Sequence, residues 1–337
     1  MRVAIAGLGA VGGFIAAKLL AAGAEPVALV TQRHLAPLAK HGLRLESVDG
    51  SGQWPIRASC DPAALGVQDL IILTTKATAL AGLAAALAPM IGPSTLILAA
   101  MNGVPWWFFH GLDETLARSP LDSVDPGGAI TRALPPSQVL GGVVHLAAAM
   151  PEPGLVRHSF GRRVVVGDPL ARRVDAAGAG QVTAASPRAA AVADFLAAAG
   201  LDAPLVPDIH REVWSKLWGN MTMNPVSAIT GATMATILAD QDVRDFMSRA
   251  MVEAGEVGER IGIPVPMTPE ARHAVAARLG DFRTSMLQDV DAGRPVELDA
   301  IVGAVIEIAQ RIGHPVPTIR AVMGLARLHA RGLGLYR

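Results

Sequence analysis

In the run Trp214-Ser215-Lys216-Leu217-Trp218-Gly219-Asn220-Met221-Thr222-Met223-Asn224, Lys216, Asn220 and Asn224 fall at i, i+4 and i+8. On a helix that spacing lines up one cation and two carboxamides along a single, slowly drifting stripe. A lysine brings three donors and a transferable proton, and each asparagine brings a donor and an acceptor. The set suits a small, oxygen-rich substrate. The adjacent stripe of Val213, Leu217, Trp218 and Met221 is apolar, which predicts burial against the protein body while the polar stripe looks into a cleft. The same spacing also describes an ordinary amphipathic helix with a surface lysine, so its meaning depends on the rest of the chain.

A second chemical signal stands at the N-terminus. Arg2 to Ala6 favours a strand, Gly7-Leu8-Gly9-Ala10-Val11-Gly12-Gly13 follows, and a helical pattern runs through Ala22. A strand feeding a helix through G-x-G-x-x-G is the setting in which this motif binds a dinucleotide. Gly7 allows the tight turn, Gly9 lets a pyrophosphate approach the backbone, and Gly12 lets the helix pack close to the strand. The N–H groups of Leu8, Ala10 and Val11 lie in the same loop, where backbone donors and the positive helix end hold phosphates.

The next strand, Pro26 to Val30, ends in Thr31-Gln32-Arg33. An acid at this place takes the ribose 2′-hydroxyl of NAD, whereas a cation suits the 2′-phosphate of NADP, so Arg33 is the candidate for that phosphate, with Thr31 and Gln32 beside it. A solvent-facing loop arginine is the alternative.

The elements that must position these residues follow a βαβ rhythm. A strand over Asp69 to Thr75 ends at Lys76, and another over Thr95 to Ala100 ends at Asn102-Gly103. In an open α/β sheet, ligands sit beyond the carboxyl ends of strands, which makes Lys76 and Asn102 candidates for the cofactor side. Asn-Gly is equally a common turn pair. Trp106 and Trp107 suit either a cleft wall or the core. Val139 to Gly167 reads as short strands in hairpins, 168–188 as a mobile surface excursion, and Ala189 to Ala199 as a helix. Beyond Pro207 the pattern is nearly all helix, with breaks at Gly231, Ile263 to Pro266, near Gly280 and at Gly293 to Pro295, and a last long helix opening at Pro295-Val296-Glu297. The fold class expected is therefore α/β: an N-terminal Rossmann-type doubly wound sheet over 1–206 and a C-terminal all-helical domain over 207–337, with a cleft between them.

Composition narrows the class. The 337 residues carry 29 Lys plus Arg against 29 Asp plus Glu, which argues against nucleic acid and a polybasic membrane patch as partners. One cysteine, Cys60, excludes internal disulfides and multi-thiolate metal sites, and the nine histidines show no metal-like spacing, so no metal is expected and a reducing cytoplasm is the natural location. The first 24 residues imitate a signal peptide, but glycines and Lys18 interrupt its apolar core. The uncharged stretch Ala77 to Phe109 is cut by Pro89, Gly92, Pro93 and Pro105 into pieces too short to span a bilayer.

Taken together, the glycine loop, Thr75-Lys76-Ala77, Asn102-Gly103, Lys216-Leu217-Trp218-x-Asn220-x-x-x-Asn224-Pro225, Ser285-Met286-Leu287-Gln288-Asp289 and Glu297-Leu298-Asp299 resemble the ketopantoate reductase family (2-dehydropantoate 2-reductase) over nearly the whole chain. The resemblance implies NADPH-dependent reduction of 2-dehydropantoate to (R)-pantoate, toward pantothenate and coenzyme A. It implies Lys216 as general acid, Glu297 on the substrate's hydroxyl end, and Asn220, Asn224 and Ser285 on its oxygens. Lys76 and Asn102 would stand at the boundary of cofactor and substrate. Taken alone, Glu297 is a helix-start acid. The partners implied are a small 2-keto acid and at most a second copy of the chain as a homodimer. The family often has its arginine directly after the second strand, where this chain has Thr31, so Arg33 must act from two residues on. A reductase of another 2-keto acid, and an NADP-binding sensor without turnover, are the competing readings.

Overall fold

Nine strands, from three to 14 residues long, pair edge to edge into one sheet. They are β1 (Val3–Ala6), β2 (Val27–Leu29), β3 (Leu43–Ser47), β4 (Gly52–Trp54), β5 (Arg57–Ser59), β6 (Gln68–Leu73), β7 (Ile91–Ala99), β8 (Val139–Glu152) and β9 (Leu155–Gly167). The computed structural model describes residues 1–174, 180–182, 186–278 and 280–337. The strand order is β4-β3-β9-β8-β7-β6-β1-β2-β5. From β5 through β8 all pairings are parallel; β8 and β9 are antiparallel, β9 and β3 parallel, and β3 and β4 antiparallel. Leu70, Ile71, Ile72 and Leu73 of β6 are all fully buried, as a parallel strand covered on both faces requires. The chain turns one way from β1 to β2 and the other way from β6 to β7, so the switch point where such sheets bind ligands lies between β1 and β6.

Helices α1 (Ala10–Ala21), α2 (Gln32–His41), α3 (Ala77–Ala84), α4 (Glu114–Ala117) and α5 (Ala129–Ala133) lie between these strands in the chain, and α6 (Pro187–Ala198) follows β9. By contact, this sheet unit comprises Met1–Met101, Phe109–Ala117 and Gly128–Ile209. The second unit comprises Asn102–Phe108, Arg118–Gly127 and His210–Arg337. Its helices are α7 (Ile209–Thr230), α8 (Met234–Ala239), α9 (Gln241–Arg260), α10 (Pro269–Ala277), α11 (Ser285–Asp291), α12 (Ala304–Arg311) and α13 (Pro317–Gly332). A doubly wound Rossmann-type sheet with a C-terminal helical unit is thus the architecture, and no helix among the described residues is long and apolar enough to cross a membrane.

Several local expectations need correction. Val139 to Gly167 forms one long hairpin of 14- and 13-residue strands instead of several short ones. Gly142 lies within β8, where an added Cβ would press on Ala100 at 3.2 Å. Its role is close approach to the backbone that leaves β7. The helix expected from Glu297 onward is not continuous: a π turn spans Asp299–Gly303, and after α12 the chain breaks at Gly313 (φ +66°) before Pro315 and Pro317 restart it as α13. Strands β4 and β5 are three residues each, too short for alternation to show in sequence, whereas β3 alternates as Leu43-Arg44-Leu45-Glu46 with both leucines buried. Trp106 and Trp107 cover core, at 6% and 1% exposure. The excursion expected over 168–188 lies in part outside the described residues. At its two ends Asp168 and Arg188 are joined by an ion pair of 2.6 Å.

Candidate active site

The glycine loop follows β1 directly. Gly7 has φ +101°, and a Cβ there would lie 2.7 Å from the Thr75 backbone nitrogen, so only glycine fits. Gly12 presses the first turn of α1 onto the sheet, since a Cβ would sit 2.3 Å from the Gly7 carbonyl oxygen and 2.4 Å from Thr74 Oγ1. Thr74, which sequence reasoning passed over, donates its hydroxyl to that same carbonyl at 2.7 Å and so ties the end of β6 to the loop after β1. A threonine at the carboxyl end of the predicted strand, two residues before Lys76, was the available signal.

At Gly9 the situation reverses: an added Cβ would meet nothing within 4 Å. Gly9 is the N-cap of α1, offers no side-chain cap, and the first turn holds no acid. The N–H groups of Ala10, Val11 and Gly12 have no partner within the helix and the positive helix end is left uncompensated, an arrangement that fits the pyrophosphate of a dinucleotide. Leu8 is buried beneath the loop. Lys76 is the half-buried N-cap residue of α3, one residue beyond the Thr75 backbone that Gly7 touches. Arg33 is exposed in the first turn of α2, whose N-cap is Thr31 and which again carries no acid. The Thr31 hydroxyl pairs with His34 Nδ1 at 2.9 Å.

In the helical unit the expected stripe forms on α7. Val213, Leu217, Trp218 and Met221 are buried, at 8%, 2%, 3% and 1% exposure, while Lys216 and Asn220 are half-buried and Asn224 is buried. Trp218 anchors this face by donating Nε1–H to the Met251 carbonyl at 2.6 Å. Lys216 Nζ donates to Asn102 Oδ1 at 2.8 Å. Burial pulls the Lys216 pKa down from 10.5 to about 8, and the nearby Glu297 carboxylate offsets part of that drop. At neutral pH the group remains mostly protonated yet gives up its proton far more readily than a solvated lysine.

Asn102 is held by its own backbone. The next residue, Gly103, has φ +84° and lies against the π turn: a Cβ there would be 2.7 Å from both the Ala300 carbonyl oxygen and the Ala300 Cβ. Val104 N–H donates to that Ala300 oxygen at 2.8 Å. The turn in question begins two residues after Glu297, so one irregular turn fixes Asn102 and adjoins the acid that acts on Lys216. Ser285 is exposed as the first residue of α11, and the capping role belongs to Thr284, whose Oγ1 accepts from Leu287 N–H at 3.2 Å. The structure thus brings Lys216, Asn102 and Glu297 into one electrostatic group, with Asn220 and Asn224 on the same helix as the lysine.

Known proteins can be set against this geometry. Residues 3–170 match the family model for ketopantoate reductase PanE/ApbA, and residues 208–330 match the model for its C-terminal part. The chain belongs to the ketopantoate reductase family. It is 40% identical over 337 residues to the 2-dehydropantoate 2-reductase of Mesorhizobium japonicum, covering 100% of both chains. A solved structure from Ralstonia solanacearum MolK2, provisionally assigned as a ketopantoate reductase, superposes with TM-score 0.91 at 46% identity over 99% of each chain. A D-mandelate dehydrogenase solved with NADH and anilino(oxo)acetate shares the fold, with TM-score 0.81 at 22% identity, over 99% of this chain and 100% of that one. This protein is accordingly an oxidoreductase that works with a nicotinamide cofactor.

Proposed function

We propose that the chain reduces 2-dehydropantoate to (R)-pantoate with NADPH, using Lys216 as general acid. The observation that carries this reading is the half-buried ammonium of Lys216, softened to a pKa of about 8 and aimed by the Asn102 side chain. NADPH, when bound, supplies the hydride. The reduced carbonyl becomes an alkoxide as hydride arrives, and Lys216 Nζ both stabilises that charge and delivers its proton. Asn102 Oδ1 orients the ammonium. Glu297 keeps it charged and accepts a hydrogen bond from the substrate's hydroxyl end, while Asn220, Asn224 and Ser285 bind its oxygens. Holding the ketone in a reactive orientation supplies much of the remaining acceleration.

On the sheet unit, Gly7, Leu8, Gly9, Ala10, Val11 and Gly12 would hold the pyrophosphate, with Lys76 beside them. Arg33 would take the 2′-phosphate: the first turn of α2 offers a cation and no acid to compete for a ribose hydroxyl. Residues 1–206 then serve the cofactor and 207–337 the substrate, in a cytoplasmic enzyme. The 40% identity to a 2-dehydropantoate 2-reductase along the full length supports the choice of substrate.

The test is oxidation of NADPH by the purified protein with 2-dehydropantoate, run beside NADH and a panel of other 2-keto acids. Turnover of 2-dehydropantoate with NADPH preferred supports the proposal. Turnover of a different acid alone would reassign the substrate and keep the chemistry. Tight NADPH binding with no turnover of any acid would leave a sensor.

A further inference from the structure

The site as described has a gap in its charges. A 2-keto acid carries a carboxylate, yet Asn220, Asn224 and Ser285 are neutral, Glu297 is negative, the ammonium of Lys216 is committed to the ketone, and Lys76 is placed with the cofactor's pyrophosphate. Arg272 on α10 supplies what is lacking. Its guanidinium rests on α7 at Gly219, where a Cβ would lie 2.5 Å from Nε and 2.7 Å from Nη2. The side chain is half-buried, and burial depresses its pKa. Among the described residues its guanidinium has no hydrogen bond or ion pair. A partly desolvated cation with no acid beside it is under-compensated, and an arriving carboxylate repays part of that cost.

Position 219 ties this guanidinium to the proposed chemistry. Gly219 follows Lys216 by three residues and directly precedes Asn220, and helix positions three apart have Cβ atoms roughly 5–6 Å from each other. The fork of an arginine matches a carboxylate bidentately, which a single ammonium cannot do. We propose that Arg272 is the substrate's carboxylate anchor, and that Gly219 is glycine to seat it. The inference rests on the reading of the protein as a 2-keto acid reductase and extends it: specificity for an acid over a neutral ketone comes from α10, not from the stripe on α7 alone.

Two variants test it, both assayed with whichever 2-keto acid the unaltered chain reduces fastest. Arg272→Gln removes the charge. Gly219→Ala keeps the charge but pushes the guanidinium off its seat, and because the obstructing atoms belong to a flexible side chain, the helix accommodates the methyl group. Each is expected to raise KM for the acid roughly 10–100-fold, the size of a charge-assisted hydrogen-bond pair, with kcat within about threefold and the Kd for NADPH unchanged. An unchanged KM, or a loss carried by kcat or by NADPH affinity, overturns the assignment. If the unaltered chain reduces no 2-keto acid at all, the functional reading fails first, and the two failures are told apart.

Discussion

Lys216 and Asn102, 114 positions apart in the chain, meet in a hydrogen bond of 2.8 Å from Nζ to Oδ1. This contact fixes where the softened ammonium of Lys216 points. A carboxamide in this place accepts without adding charge, so it aims the ammonium and leaves its acidity to burial and to Glu297. If Lys216 is the acid, Lys216→Ala should lower kcat by roughly 10²–10⁴-fold, the usual contribution of a positioned general acid, while NADPH still binds. Steady-state kinetics beside a cofactor titration decide the matter, and normal turnover would remove Lys216 from the mechanism.

The pH dependence has a definite sign. Only the protonated amine can act as acid, so kcat/KM for reduction should fall as pH rises through about 8, well below the ordinary lysine value of 10.5. Stability should move the other way. Below pH 8 both folded and unfolded chains carry this proton, but between about 8 and 10.5 the unfolded chain binds more, so this group's contribution to stability rises across that window. Glu297→Gln removes the attraction that holds the ammonium charged and should shift the alkaline limb of kcat/KM to lower pH. A limb that stays in place would separate Glu297 from the lysine.

Gly103→Ala tests the backbone that presents Asn102. The new methyl group would meet the Ala300 backbone, which cannot yield as a flexible side chain can, and would require φ +84° of a residue that resists it. A cost of about 1–3 kcal/mol in stability is expected, together with a lower kcat and a changed pH profile as Asn102 shifts away from Lys216. Thermal melts and kinetics on the one variant check both, and a melt that drops while kcat and its pH profile stay put would limit Gly103 to a structural role.

Arg33→Ala should weaken NADPH while sparing NADH. The exposed guanidinium in the first turn of α2 has the 2′-phosphate as its proposed ligand, and NADH lacks that group. Paired KM or Kd measurements with the two cofactors suffice, and equal losses on both would place the 2′-phosphate elsewhere.

Much of this was legible in the sequence because it is local. Period and composition alone locate α7 with its stripe of Lys216, Asn220 and Asn224, the strand-glycine-helix opening at Gly7 to Gly12, and the change at Pro207 from alternating elements to helices. Each depends on neighbours within a few turns of the same chain. Asn102 illustrates the limit: as half of an Asn-Gly pair it is equally a turn residue, and only the packing of Gly103 on Ala300, close to 200 positions later, delivers its oxygen to Lys216. The softening of that lysine is likewise absent from the sequence, since desolvation depends on what surrounds a group in space. The same holds for Arg272, an unremarkable helix residue until its guanidinium is found on a glycine of another helix. Local pattern determined which residues could do chemistry; tertiary packing decided which are held together, because charge, burial and hydrogen bonding act across space and not along the chain.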